Sequence, residues 1–294
     1  MQNESFTGVV AMAAACLIWG FSALYYKALA HIPPLEILAH RTFWSFVIFA
    51  GLLAVQGRLG ALRAAVSTPR AAVTVALAAL MISINWFSFI FSIQVGRATE
   101  AALGYYIFPL VAVLLGRIVF GEQLSKAQWL AVALAASAVS LLTFGLGVAP
   151  WISLVVAFTF GLYGVVKKRL DVGPVVSVTA EVGMLVPVAL AVLAVVHGRG
   201  QGHFADTAWE SAMLVFAGVL TAVPLMLFSY AAKRLRLSTV GLLQYINPTA
   251  QFFCAMVVFG EPFGGWHQLA FAMIWAGLAL YSASALSQDR AARR

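Results

Sequence analysis

The sequence predicts an all-α integral membrane protein of ten transmembrane helices, arranged as two inverted five-helix repeats. Three observations carry that expectation. The first is solvent preference: 63% of the 294 residues are hydrophobic, 10% are charged and the mean hydropathy is +0.95. So few polar groups cannot cover a water-soluble globule. The second is repetition. Leu103-Gly-Tyr-Tyr-Ile-Phe-Pro109…Val119-Phe-Gly-Glu122 returns 139 residues later as Leu242-Leu-Gln-Tyr-Ile-Asn-Pro248…Val258-Phe-Gly-Glu261, with eight of twenty positions identical. The third is charge placement: the basic residues fall in short clusters between apolar runs, mostly in alternate connections.

The elements follow in chain order. The first apolar run, 6–26, has the length a bilayer-spanning helix needs. Met1-Gln-Asn-Glu-Ser5 before it carries no basic residue and the run continues past Cys16, so it is expected to stay as a span, neither cleaved nor a lipid anchor. His31-Ile-Pro33-Pro34 breaks it. Further spans are expected at 36–55, 71–95, 98–120, 128–144, 151–166, 174–196, 209–232, 239–259 and 266–286. Ser125-x-x-Gln128 and Thr207-x-x-Glu210 read as capping boxes, Pro150 and Pro174 as helix starts, and Gly121 and Gly260 as helix ends. The longest polar stretch is 197–208, too short for another domain. The division is therefore 1–146 and 147–294, two repeats in one membrane domain.

With the N-terminus in the cytoplasm, fourteen of the eighteen Lys and Arg lie on the cytoplasmic side: Arg58, Arg63, Arg70, Arg117, Lys126, Lys167, Lys168, Arg169, Lys233, Arg234, Arg236, Arg290, Arg293 and Arg294. Lys27, Arg97 and Arg199 fall outside and Arg41 within a span. Both termini are expected in the cytoplasm of a multi-pass protein of the bacterial inner membrane. Five spans per half is odd, so the second copy enters the membrane in the opposite sense. Gly20…Lys27 is echoed by Gly161…Lys168, and Pro34 by Pro174. Inverted repeats support alternating access around a midplane site.

Function classes narrow in the same way. The net charge of +8 is explained by topology, so nucleic acid is not an expected partner. No Gly-x-x-x-x-Gly-Lys-Ser/Thr stretch exists to hold ATP. Asp171, Asp206 and Asp289 are scattered outside the spans, so no catalytic residues are assigned and an integral-membrane enzyme on lipid-like substrates is the weaker alternative, as is a channel or receptor. Cys16 and Cys254 sit in apolar runs as small hydrophobes, and the histidines lack ligand-like spacing; no metal or cofactor is expected. The expected partners are a small-molecule solute and the lipid bilayer, with the chain a monomer.

Ile37-Leu-Ala-His-Arg41…Trp44-Ser45, Asn85-Trp86, Glu100-Ala-Ala-Leu-Gly-Tyr-Tyr-Ile-Phe-Pro109, Gln128-Trp129-Leu130-Ala131, Gly161-Leu-Tyr-Gly164, Leu242-Leu-Gln-Tyr-Ile-Asn-Pro248 and Gly260-Glu-Pro262 together resemble the RarD branch of the EamA-type drug/metabolite transporters. The resemblance covers nearly the whole chain. It departs at Phe108, where the branch commonly has Asn before Pro, as the second copy keeps at Asn247. The resemblance implies a central cavity lined mainly by the first, third, fourth, sixth, eighth and ninth spans. It also implies export of small organic solutes: metabolites, amino-acid-like compounds or drugs such as chloramphenicol.

The residues suggest where solutes bind. Tyr105, Tyr106, Gln244, Tyr245 and Asn247 precede the repeat prolines, whose rings free the carbonyls of Tyr105 and Gln244 and should kink both helices. Polar groups inside a span normally face the bundle interior. Trp19, Asn85, Trp86, Tyr163, Tyr230 and Gln251 are further wall candidates, although Trp and Tyr also populate interfacial belts. Lys27 and Lys168 are expected to snorkel to the surface. Glu122 and Glu261 should stabilise the starts of the helices that follow them. His40 is read as a histidine bonded within the bundle, with a proton role as the alternative. Arg41 and Glu181 stand seven residues after Pro34 and Pro174 and are expected to act together, as a clamp between the halves or in coupling transport to protons.

Overall fold

The computed structural model describes residues 2–121, 123–147, 149–168, 170, 172–235 and 237–291. Glu122, Arg169, Asp171, Arg236, Arg293 and Arg294, named above for helix capping, charge placement or the search for catalytic acids, lie outside the described residues. Helices are α1 (Gln2–Ala28), α2 (Pro34–Val55), α3 (Gly60–Ala65), α4 (Pro69–Gln94), α5 (Ala98–Phe120), α6 (Lys126–Leu146), α7 (Trp151–Lys167), α8 (Pro174–Gly198), α9 (Ala208–Ala232), α10 (Leu237–Leu243), α11 (Ile246–Phe253) and α12 (Gly265–Ala291). Among the described residues there is no strand. Among the described residues seven helices, α1, α2, α4, α5, α6, α8 and α9, are long and apolar enough to cross a membrane, and α7 is a shorter apolar helix. The chain is an all-helical, multi-pass membrane protein.

Local chemistry sets the boundaries. Pro34, Pro69 and Pro174 occupy first-turn positions where a missing N–H costs nothing. Ser125 and Gln128 close both arms of a capping box on α6, and Thr207 accepts from the backbone N–H of Glu210 at the start of α9. Gly121 ends α5 at φ 68°, in the left-handed region that glycine enters without a side-chain clash.

Three expectations need correction. The two proline segments are not equivalent kinks: α5 runs unbroken through Pro109, whereas the 239–259 span divides into α10, a turn at Gln244 and Tyr245, α11, and a π turn at Cys254–Val258. Pro248 is the third residue of α11, where its nitrogen needs no intrahelical partner, so the helix restarts ahead of the proline. Glu261 does not serve the helix that follows it. Its carboxylate accepts from the Ala98 and Thr99 backbone N–H groups at 2.6 and 2.7 Å and from the Thr99 hydroxyl at 2.7 Å, capping α5. His40, expected to be hydrogen-bonded, has no partner on either ring nitrogen among the described residues. It is buried and stacks on Phe204, 5.0 Å between centroids.

Packing between elements follows the sequence repeat. α4 and α5 pack on α7, and their counterparts α9 and α11 pack on α1. α2 packs on α8, α6 on α12 and α5 on α11. Gly20 of α1 lies where a Cβ would come within 2.4 Å of the Ala250 side chain on α11, while Gly161 of α7 faces the Leu115 and Val111 side chains of α5 at 3.0 and 3.2 Å. The connection between α8 and α9 folds down over one end: the His203 backbone and ring nitrogens reach the fully buried Glu36 at 2.8 and 2.9 Å, and His31 meets Glu210 at 2.9 Å.

Candidate functional site

Tyr26 is the third-last residue of α1 and faces Arg41, almost two turns into α2. The buried guanidinium donates from Nη1 to the Tyr26 hydroxyl at 2.9 Å and from Nε to Thr221 Oγ1 on α9 at 3.0 Å. Its central carbon lies over the Trp86 ring on α4, 4.0 Å from the centroid. A row of rings leaves from this point: Tyr26 to Phe89, 5.7 Å; Phe89 to Tyr105, 5.9 Å; Tyr105 to Phe160, 5.9 Å; and Phe160 to Tyr163, 6.0 Å and nearly parallel. The row passes through α1, α4, α5 and α7, so it joins the two copies.

At the far end Tyr163 donates to Glu181 Oε2 at 3.0 Å. Glu181 Oε1 accepts from Lys167 at 2.6 Å and from Ser177 at 2.7 Å, so both oxygens are occupied and the charge is neutralised. Mid-row, the Tyr105 hydroxyl donates to Asn85 Oδ1 at 2.9 Å, and Asn85 Nδ2 donates to the Val156 carbonyl at 3.0 Å and to Thr159 at 3.3 Å. This ties α4, α5 and α7 together by side chains. Within the row Tyr105, Phe160 and Tyr163 are half-buried, as is Trp86 beside Arg41, whereas Tyr26 and Phe89 are sealed in the core. Rings with a few fixed polar groups are the usual wall of a small-molecule site.

The other candidates fall elsewhere. Tyr106 and Tyr245 join the core formed with α6 and α12; the Tyr106 hydroxyl meets Thr249 Oγ1 at 2.8 Å. Gln251 donates to Asn247 at 2.9 Å beside α1, where Trp19 packs on Phe228. Gln244 forms the turn between α10 and α11. Tyr230 is exposed, with the Arg234 guanidinium 3.5 Å from its ring centroid. Arg41 and Glu181 are not brought into contact, and each has its own partners. Lys27 and Lys168 end over Phe259 and Phe120, 5.5 and 4.6 Å from the ring centroids.

The profile of the EamA-like transporter family matches residues 6–144 and again 148–283. The chain belongs to the EamA-like transporter family. Within this family it stands on the RarD branch. It is 40% identical to "Protein RarD" of Streptomyces exfoliatus over 99% of this chain and 93% of that one. It is also 40% identical to "Uncharacterized transporter YojE" of Bacillus subtilis over 100% and 99%. A solved structure described only as "Crystal structure of protein" shares the fold, with a TM-score of 0.60 at 20% identity, covering 93% of this chain and 96% of that chain.

For an EamA-family membrane transporter, the side chains that sequence reading missed are Tyr26, Phe89, Phe160, Thr221, Lys167 and Ser177. One signal was present. Tyr26 and Lys167 are 141 residues apart, the same offset as Gly20 and Gly161, and each precedes the proline that opens the next helix. Placing them opposite Arg41 and Glu181 needed only the repeat. Phe89 and Phe160 carried no signal, because phenylalanine is common throughout the apolar spans.

Proposed function

We propose that this EamA-family member is a secondary transporter exporting small amphipathic organic solutes across the bacterial inner membrane by alternating access. The observation that carries the proposal is the aromatic row between Arg41 and Glu181, half-buried at Tyr105, Phe160 and Tyr163, which crosses from one copy to the other and ends on charged groups. Ring faces offer contact area to an apolar body, and the bond from the Tyr105 hydroxyl to the buried Asn85 holds the Tyr105 ring in place. Ten spans in two inverted halves, 1–146 and 147–294, are supported by the double match of the family profile and by the paired packing of α4 and α5 on α7 and of α9 and α11 on α1. The wall of the solute site comprises Trp86, Tyr105 and Tyr163, with the buried Asn85 bracing Tyr105 from behind. The protein works as a monomer in the bilayer with both termini cytoplasmic.

Reconstituted protein should show saturable solute uptake with counterflow. Unsaturated flux without counterflow points to a channel and overturns the carrier reading. A reporter active only in the cytoplasm, fused after the last residue, should give signal, and a signal only from an external reporter reverses the topology.

A further inference from the structure

We propose that Arg41 is the docking point for an anionic group on the solute, and that the transported compounds are carboxylates carrying an apolar or aromatic body. The proposal rests on the carrier reading and names its substrate class. Arg41 is 6% exposed, seven residues into α2, roughly 10 Å along the helix from Pro34. A cation at that depth in a bilayer normally has an anionic partner. Here the partners are neutral: the Thr221 and Tyr26 hydroxyls and the rings of Trp86 and Tyr26. No ion pair among the described residues includes Arg41.

The guanidinium is also incompletely used. Nε and Nη1 have acceptors, whereas Nη2 has none among the described residues and is not among the atoms sealed from solvent. The Trp86 indole N–H is in the same condition, unpartnered among the described residues and not sealed. Tyr26, Thr221 and the Trp86 face fix the plane of the guanidinium and leave one edge open. A planar fork with an open edge suits a carboxylate, which can accept two parallel N–H bonds. The half-buried Trp86 ring, 4.0 Å from the guanidinium carbon, then offers its accessible part to the rest of the molecule.

Glu181 shows that a charge at the equivalent position can be satisfied from within the chain. It takes a lysine, a serine and a tyrosine, and nothing is left open. The same place in the other copy holds a cation with no such closure. A bound carboxylate would complete it, neutralising the guanidinium only while solute is aboard.

The test uses full-length protein purified in an uncharged detergent and two probes of one shape, 3-phenylpropionate and its neutral amide, with binding read by calorimetry or tryptophan fluorescence. The carboxylate should bind about tenfold or more tightly than the amide, as expected for hydrogen bonds to a charged donor. In Arg41→Gln the ratio should fall to about one. Equal affinities, no binding of the carboxylate, or a preference that survives in Arg41→Gln overturns the proposal. The wild-type comparison needs no variant, so it decides even if Arg41→Gln fails to fold. Phosphatidylglycerol that displaces the carboxylate with equal potency reassigns the site to a lipid headgroup and overturns the solute assignment. Counterflow of an uncharged aromatic solute without any carboxylate preference removes the anion site and keeps the carrier. Absence of counterflow for every solute that binds removes the carrier, while the affinity ratio still decides the anion site.

Discussion

Arg41 and Glu181 occupy one position twice. Each lies seven residues after a helix-opening proline, and each reaches the last turn of the preceding helix, where Tyr26 and Lys167 stand 141 residues apart. The backbone relationship is shared and the chemistry is not. Around Glu181 the second copy places an ammonium and two hydroxyls, so the buried charge is closed off inside α7 and α8. Around Arg41 stand hydroxyls and rings from α1 and α4 of the first copy and from α9 of the second, and no anion among the described residues. Duplication preserved where a long side chain crosses between helices, and divergence made one crossing a clamp and the other a receptor.

The strongest way to break this comparison is to open the closed site. Lys167→Met leaves Glu181 buried with two hydroxyl donors and no counter-charge. Removing one member of a buried pair costs about 3–5 kcal/mol, and the partial exposure of Lys167, 23%, places the expectation at the lower end of that range. Equilibrium unfolding in mixed detergent micelles should show the loss. Lys167→Met with Glu181→Met should recover most of it, because an apolar pair of similar volume removes both the charge and its desolvation. A double variant as unstable as the single one means that the charge was never the issue.

Helix contacts sharpen the comparison next. Gly20→Ala drives a methyl into Ala250 and toward the Asn247 carbonyl, which cannot yield without moving α11. A loss of about 1–3 kcal/mol is expected from overpacking. Gly161→Ala meets only the outer atoms of Leu115 and Val111, and the better helix propensity of alanine offsets part of the crowding. A change within about 1 kcal/mol is expected. Equal losses at the two positions would mean that α1 sits no closer to α11 than α7 does to α5.

Removing a single hydroxyl asks the same question more gently. Tyr163→Phe leaves Glu181 Oε2 without its donor and should cost about 1–3 kcal/mol, as expected for a buried charged acceptor. Tyr26→Phe removes an acceptor from a guanidinium that already has an open edge, so the freed N–H can take water. About 1 kcal/mol or less is expected, read from the same unfolding curves.

How far the sequence reached depends on what each residue's signal was. Composition and repetition are collective, so the membrane class and most helix positions were legible from them. Capping was legible where donor and acceptor are three residues apart, as at Ser125 and Gln128. Glu261 was misassigned because its target, the start of α5, lies 163 residues away in sequence. The break at Gln244 was missed because Pro109 and Pro248 look alike in sequence, and only tertiary context decides whether a helix bends or restarts. At the site, Arg41 and Glu181 stood out as rare charges in apolar helices, but their partners are ordinary residues that only packing identifies. Tyr106 and Tyr230 show the converse: an aromatic ring in a span fits a cavity, a core or a surface equally well until its neighbours are known.

A near-cancellation of opposing effects bears most directly on the asymmetry. Arg41→Met removes a charged donor from two hydrogen bonds and a ring contact, each a real loss. It also removes a buried cation whose desolvation no anion among the described residues offsets, and that penalty is of the same order as the lost contacts. Methionine fills much of the vacated volume, being unbranched and adaptable. The opposing terms leave unfolding stability within about 1–2 kcal/mol of the parent, well short of the loss expected for Lys167→Met. If Arg41→Met unfolds as readily as Lys167→Met, Arg41 has a counter-ion in the folded protein, the two positions are alike after all, and the open edge of the guanidinium loses its meaning as a place for solute.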